Sequence, residues 1–115
     1  DRDATKRPLM GEVAARGADV VVITADNSRS ESTDAIIAAI TAGLDRADRR
    51  RATEVIVEPD RRQAIAAALR LGRTGDVVLV AGKGHETTQI LGATVTEFDD
   101  RVVVAEEWAR MGTAA

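Results

Sequence analysis

The chain has 115 residues, 44% of them apolar, and a formal charge of −3, which is one domain's length with enough apolar content for a core. It contains no cysteine and a single histidine, excluding disulfides, thiolate nucleophiles and Cys- or His-rich metal centres, so no metal site is expected within it. The negative balance argues against a nucleic-acid partner, and apolar runs of four or five residues are too short to cross a bilayer, so no membrane partner is expected either.

In chain order, Pro8 suits a first helical turn, and Leu9, Met10, Val13 and Ala14 follow at helical spacing, predicting a helix over 8–17 with those residues inward. Val20-Val21-Val22-Ile23 is a β-branched run without alternation, as in a strand buried on both faces. A polar loop follows from Asp26 to Glu31. Ser32 is placed to cap a second helix over 32–46, striped by Ile36, Ile37, Ile40 and Leu44. A short strand is predicted over 54–57 and a third helix over 60–71, where Asp60 and Gln63 have capping-box spacing. Val77 to Ala81 reads as the strongest strand of the chain. A hairpin around Gly92-Ala93 comes next, then a helix over 100–111, capped by Asp99 or Asp100 and packed through Trp108.

Alternating strands and helices predict a Rossmann-like, three-layer α/β domain with a mostly parallel sheet and a C-terminal hairpin. The first helix has no strand ahead of it, as a βαβ unit requires, so the domain is expected to lack its first strand or strands. The charged start Asp1-Arg2-Asp3 opens no signal peptide, and a cytoplasmic location is expected.

Two polar clusters, 26–31 and 82–86, each follow a predicted strand, and loops after parallel strands gather at the carboxyl edge where ligands bind. A strand ahead of Asp1 would bring Arg2 to the same edge. Alone, each cluster reads as a solvated loop, with Asp26 and Asn27 in local Asx turns. Together they offer Arg2 and Arg29 to anions and Asp26 and Glu86 to cations, a set suited to a zwitterion. Gly82-Lys83 is not a phosphate loop. That motif needs a glycine at position 77 and Ser or Thr at 84, where Val77 and Gly84 stand. His85 reads as a structural histidine more readily than as a catalytic base.

The segments Asp1-Arg2-Asp3, Lys6-Arg7-Pro8-Leu9-Met10-Gly11, Asp26-Asn27-Ser28-Arg29 and Gly82-Lys83-Gly84-His85-Glu86 resemble, in order and spacing, the C-terminal domain of the Mur ligases. The resemblance covers residues 1–115 as part of that amino-acid-binding domain, with no second domain. It is strongest to the branch that adds meso-diaminopimelate to UDP-MurNAc-L-Ala-D-Glu during peptidoglycan synthesis. It implies an ATP-dependent ligase in which ATP phosphorylates the D-glutamate carboxylate and the incoming amine attacks the acyl phosphate. ATP, Mg2+ and the nucleotide-linked substrate are implied to bind mainly outside this chain, which carries no catalytic residue and is expected to be inactive alone. By position, the resemblance assigns Asp26, Asn27 and Arg29 to the loop that selects diaminopimelate, with Arg29 on its distal carboxylate. Arg2, Gly82 and Glu86 match the family's other contacts to that amino acid. The chain departs from the family at Ser28 and Thr33, where proline is usual. Losing a proline loosens the chain by about 0.4–1 kcal/mol per site and leaves the charges unchanged. Two other readings are a ligase of the same family using lysine or another diamine, and a non-catalytic α/β binding module.

Overall fold

A computed structural model describes residues 6–26, 32–48, 50–82, 86–91 and 93–114, without the side chains of residues 6, 113 and 114. Four helices, α1 (Lys6–Gly17), α2 (Thr33–Asp45), α3 (Arg61–Leu71) and α4 (Asp100–Ala114), are interleaved with four strands. The strands are β1 (Val20–Ile23), β2 (Glu54–Val57), β3 (Thr88–Leu91) and β4 (Thr94–Glu97). β1 and β2 are parallel, Val21 opposite Val55 and Ile23 opposite Val57, with α2 as their crossover. β3 and β4 form the expected antiparallel hairpin.

The period-two exposure of β1 divides the core into two layers. Val21 and Ile23 pack with Ala15 of α1, Ile37 and Leu44 of α2, and Ala52. Val22 and Thr24 point the other way, into a groove floored by Ala64, Ile65 and Ala68 of α3. Beyond that groove Ile65 and Leu69 meet Val103 of α4, with Val80 and Phe98 beside them. The architecture is therefore three-layered, α1 and α2 on one face of the sheet and α3 and α4 on the other, the α/β class read from the sequence.

Local signals set the helix starts. Ser32 accepts a hydrogen bond from the Ala35 N–H at 3.4 Å, and Asp60 one from the Gln63 N–H at 3.0 Å, each satisfying a donor of the first turn. Asp99 does the same for Arg101 at 3.0 Å. The Arg101 side-chain hydrogen bond and then its backbone N–H hold the Asp99 carboxyl below its ordinary value. Asp100 is left as the first helical residue.

Three expectations are corrected. The stripe on α1 does not face inward: Leu9, Met10 and Val13 are more than half exposed. The helix instead packs through Gly11, Ala14 and Ala15 because it crosses α2 too closely for large side chains. A Cβ at Gly11 would collide with the Ile40 carbonyl, and one at Gly43 with the backbone of Pro8. Gly11→Ala is expected to destabilise the fold by roughly 1–3 kcal/mol by forcing the helices apart. An unchanged urea midpoint would show that this crossing has slack.

Trp108 is the second correction, exposed on α4 rather than packed in the core. The third concerns residues 77–81, which are not a hydrogen-bonded strand. Val78 and Val80 turn toward the α3 layer: the Val78 side chain approaches Gly72, and Val80 packs on Ile65 and Leu69. Val77 and Leu79, on the opposite side, are 92% and 84% exposed. The composition is that of a buried strand, but strand pairing needs a neighbour, and none is hydrogen-bonded to it among the described residues.

Candidate substrate-binding edge

The carboxyl ends of β1 and of the 77–81 segment are held together by one buried side chain. Arg61 opens α3, and its guanidinium is 3% exposed. Its Nη1 donates to the carbonyl of Ala25 at 2.9 Å and its Nη2 to that of Ala81 at 3.1 Å. Nε and Nη2 also grip Asp100 bidentately, at 2.8 and 2.7 Å, so the buried charge has a partly buried counter-charge. Four hydrogen bonds thus gather the ends of two segments and the start of α4.

The residues immediately beyond those carbonyls are Asp26 and Gly82. Gly82 has φ +109°, a backbone state open mainly to glycine. A Cβ built there would lie 3.9 Å from Oδ2 of Asp26, so the two loops meet at their first residues. β3 closes in from the side, where the amide of the buried Gln89 donates to the Asp26 carbonyl at 3.4 Å. Asp26 and Glu86 are both half-buried, Glu86 on the segment that leads from this edge into β3. Of the six predicted ligand residues, the structure brings Asp26 and Gly82 together, and Glu86 lies two residues ahead of β3. Arg2, Asn27 and Arg29 lie outside the described residues, as does His85.

A larger concavity of about 450 Å³ opens between α3, α4 and the hairpin and contains none of the predicted ligand residues. Its charged walls are largely self-paired: Arg62 binds Glu106 at 2.7 Å, and Asp99 binds Arg101 at 3.1 Å. Hydrogen bonds to Glu106 and then Glu107 raise the affinity of Arg62 for its proton. Among the described residues no three His, Asp or Glu side chains converge as a metal site would require. No helix among them is long and apolar enough to cross a membrane.

Sequence reasoning missed Arg61, reading Pro59-Asp60 only as a helix start. The signal was its position: Arg61 lies at i, with Ala64, Ile65 and Ala68 at i+3, i+4 and i+7 on the buried stripe. A cation there has to be paired.

The family description "Mur ligase, glutamate ligase domain" matches residues 1–84. The chain is 53% identical over 106 residues to a UDP-N-acetylmuramoyl-L-alanyl-D-glutamate--2,6-diaminopimelate ligase of Syntrophomonas wolfei, covering 92% of this chain and 21% of that protein. A protein of the same name from Synechococcus elongatus is 53% identical over 114 residues, covering 99% of this chain and 21% of its own length. A solved structure of such a ligase superposes with a TM-score of 0.84 at 38% identity, over 97% of this chain and 22% of the other. The chain therefore spans about a fifth of the length of these relatives. With its fold, its edge and these likenesses in agreement, the chain belongs to the Mur ligase family.

Proposed function

We propose that residues 1–115 are the C-terminal, amino-acid-binding domain of an ATP-dependent, ADP-forming ligase. That ligase joins meso-diaminopimelate to UDP-MurNAc-L-Ala-D-Glu in the cytoplasm during bacterial peptidoglycan synthesis. The observation that carries the reading is the convergence of Asp26 and Gly82 at one sheet edge, anchored by Arg61. The names of the relatives support the choice of substrate.

In this reading the zwitterion lies across the edge. Asp26 and Glu86 offer carboxylates to its ammonium groups, Gly82 admits close backbone approach, and Arg2 and Arg29 take its carboxylates, with Asn27 adding neutral hydrogen bonds. The reacting amine is then held toward the γ-acyl phosphate of the D-glutamate presented by the rest of the protein. Its nitrogen attacks the acyl carbon, the C–N bond forms, phosphate leaves with the electron pair of the broken C–O bond, and the amine loses a proton. The domain's contribution is orientation, which converts a bimolecular encounter into a positioned one. ATP and Mg2+ are held mainly by other parts of the full-length protein in this reading.

The test compares this chain with the full-length protein. The chain alone should form no amide from ATP, diaminopimelate and UDP-MurNAc-L-Ala-D-Glu, and the full-length protein should form the tripeptide with release of ADP. Amide formation by the isolated chain, or a full-length protein inert toward diaminopimelate, overturns the reading.

A further inference from the structure

We propose that Arg61 is a positioning residue for the diaminopimelate site, setting the separation and tilt of the two loops that carry Asp26 and Gly82. The inference rests on the function proposed above for that edge. The carbonyl of Ala25 shares a planar peptide unit with the nitrogen of Asp26, and that of Ala81 with the nitrogen of Gly82. A guanidinium that fixes both carbonyls, at 2.9 and 3.1 Å, therefore fixes both peptide planes from which the ligand residues depart. The bidentate grip of Asp100 fixes the guanidinium in turn.

Two features make this more than an internal ion pair. The bond from Arg61 to Ala81 falls on the residue before Gly82, so it acts directly on the first peptide of that loop whether or not the 77–81 segment is paired along its length. The donor set also matches the task. A planar fork can serve two carbonyls and a carboxylate at once in a fixed geometry, whereas an ammonium presents a point charge with three rotatable donors.

The experiment uses full-length protein carrying Arg61→Lys or, should that variant not accumulate folded, Asp100→Asn, which loosens the fork without removing it. The expected result for Arg61→Lys is a KM for diaminopimelate raised roughly tenfold, since hydrogen bonds to charged groups are lost at the anchor. The KM values for ATP and the nucleotide substrate should stay within about twofold, as neither is bound by this edge. Asp100→Asn should move the same KM in the same direction by a smaller factor. A fall in kcat with an unchanged diaminopimelate KM would assign Arg61 to stability alone and overturn the proposal. Amide chemical shifts provide a readout independent of substrate: those of Asp26 and Gly82, whose peptide units carry the two bonded carbonyls, should move in the variant while those of the α1–α2 layer are unchanged. Unchanged shifts at those two amides overturn the positioning role, whatever the edge binds. Moved shifts in a protein inert toward diaminopimelate would instead leave the positioning intact and remove the substrate reading.

Discussion

Arg29→Ala in the full-length protein should lower kcat/KM for diaminopimelate by a factor of roughly 30 or more, while changing that for lysine far less. The two amino acids differ by one carboxylate on the distal carbon. A guanidinium fork facing that group makes two charge-assisted hydrogen bonds with diaminopimelate and none with lysine. With lysine bound, the guanidinium is also drawn partly out of water without its anion, so selectivity arises from loss as well as gain. Removing one partner of such a pair costs about 2–5 kcal/mol, which sets the expected factor. Amide formation with each amine, at fixed ATP and nucleotide substrate, is the measurement. Equal losses for both amines would mean that Arg29 supports the loop, and selectivity would pass to Arg2. Efficient use of lysine by the wild-type protein would favour the diamine-tolerant reading, which the replacement of the usual proline by Ser28 leaves open.

The sequence and the structure agree wherever one segment carries its own instructions. β1, α2 and α3 were legible because a β-branched run, an isoleucine stripe and side-chain caps at Ser32 and Asp60 act within a few residues. The orientation of α1 was not, because it depends on how closely Gly11 and Gly43 let two helices approach, a property of the pair. The carboxyl edge was legible as a coincidence of polar loops, and the structure brings Asp26 and Gly82 together there. Its anchor was hidden because an arginine in a first helical turn looks solvated until the stripe behind it is traced. The 77–81 segment shows the limit most plainly: its residues specify burial on both faces, but its partner lies elsewhere in the sequence.

Where that partner belongs follows from handedness. Parallel crossovers are right-handed, and α1 and α2 cover the same face of β1. A strand leading into α1 must therefore lie beside β1 on the edge away from β2. α3 covers the other face, so the connection from β2 through α3 runs back in the opposite direction and delivers 77–81 past β1 on that same side. Between them lies the groove walled by Val22 and Thr24 on one side and Val80 and Ala81 on the other. Oγ1 of Thr24 is buried with no hydrogen-bond partner among the described residues. We expect a parallel strand from elsewhere in the full-length protein to fill this slot and pair with both walls. The amides of Val78 to Ala81 should then exchange on the order of a hundredfold or more slowly in the full-length protein than in the isolated chain, as core strands do. The isolated chain, with two open edges, should also self-associate with rising concentration. Val22→Cys combined with Val80→Cys distinguishes insertion from closure. An intervening strand keeps the two positions about two strand spacings, or ~10 Å, apart, beyond the reach of a disulfide. Ready formation of that disulfide in the full-length protein, or equally fast exchange at 78–81 in both forms, would show that no strand enters the slot.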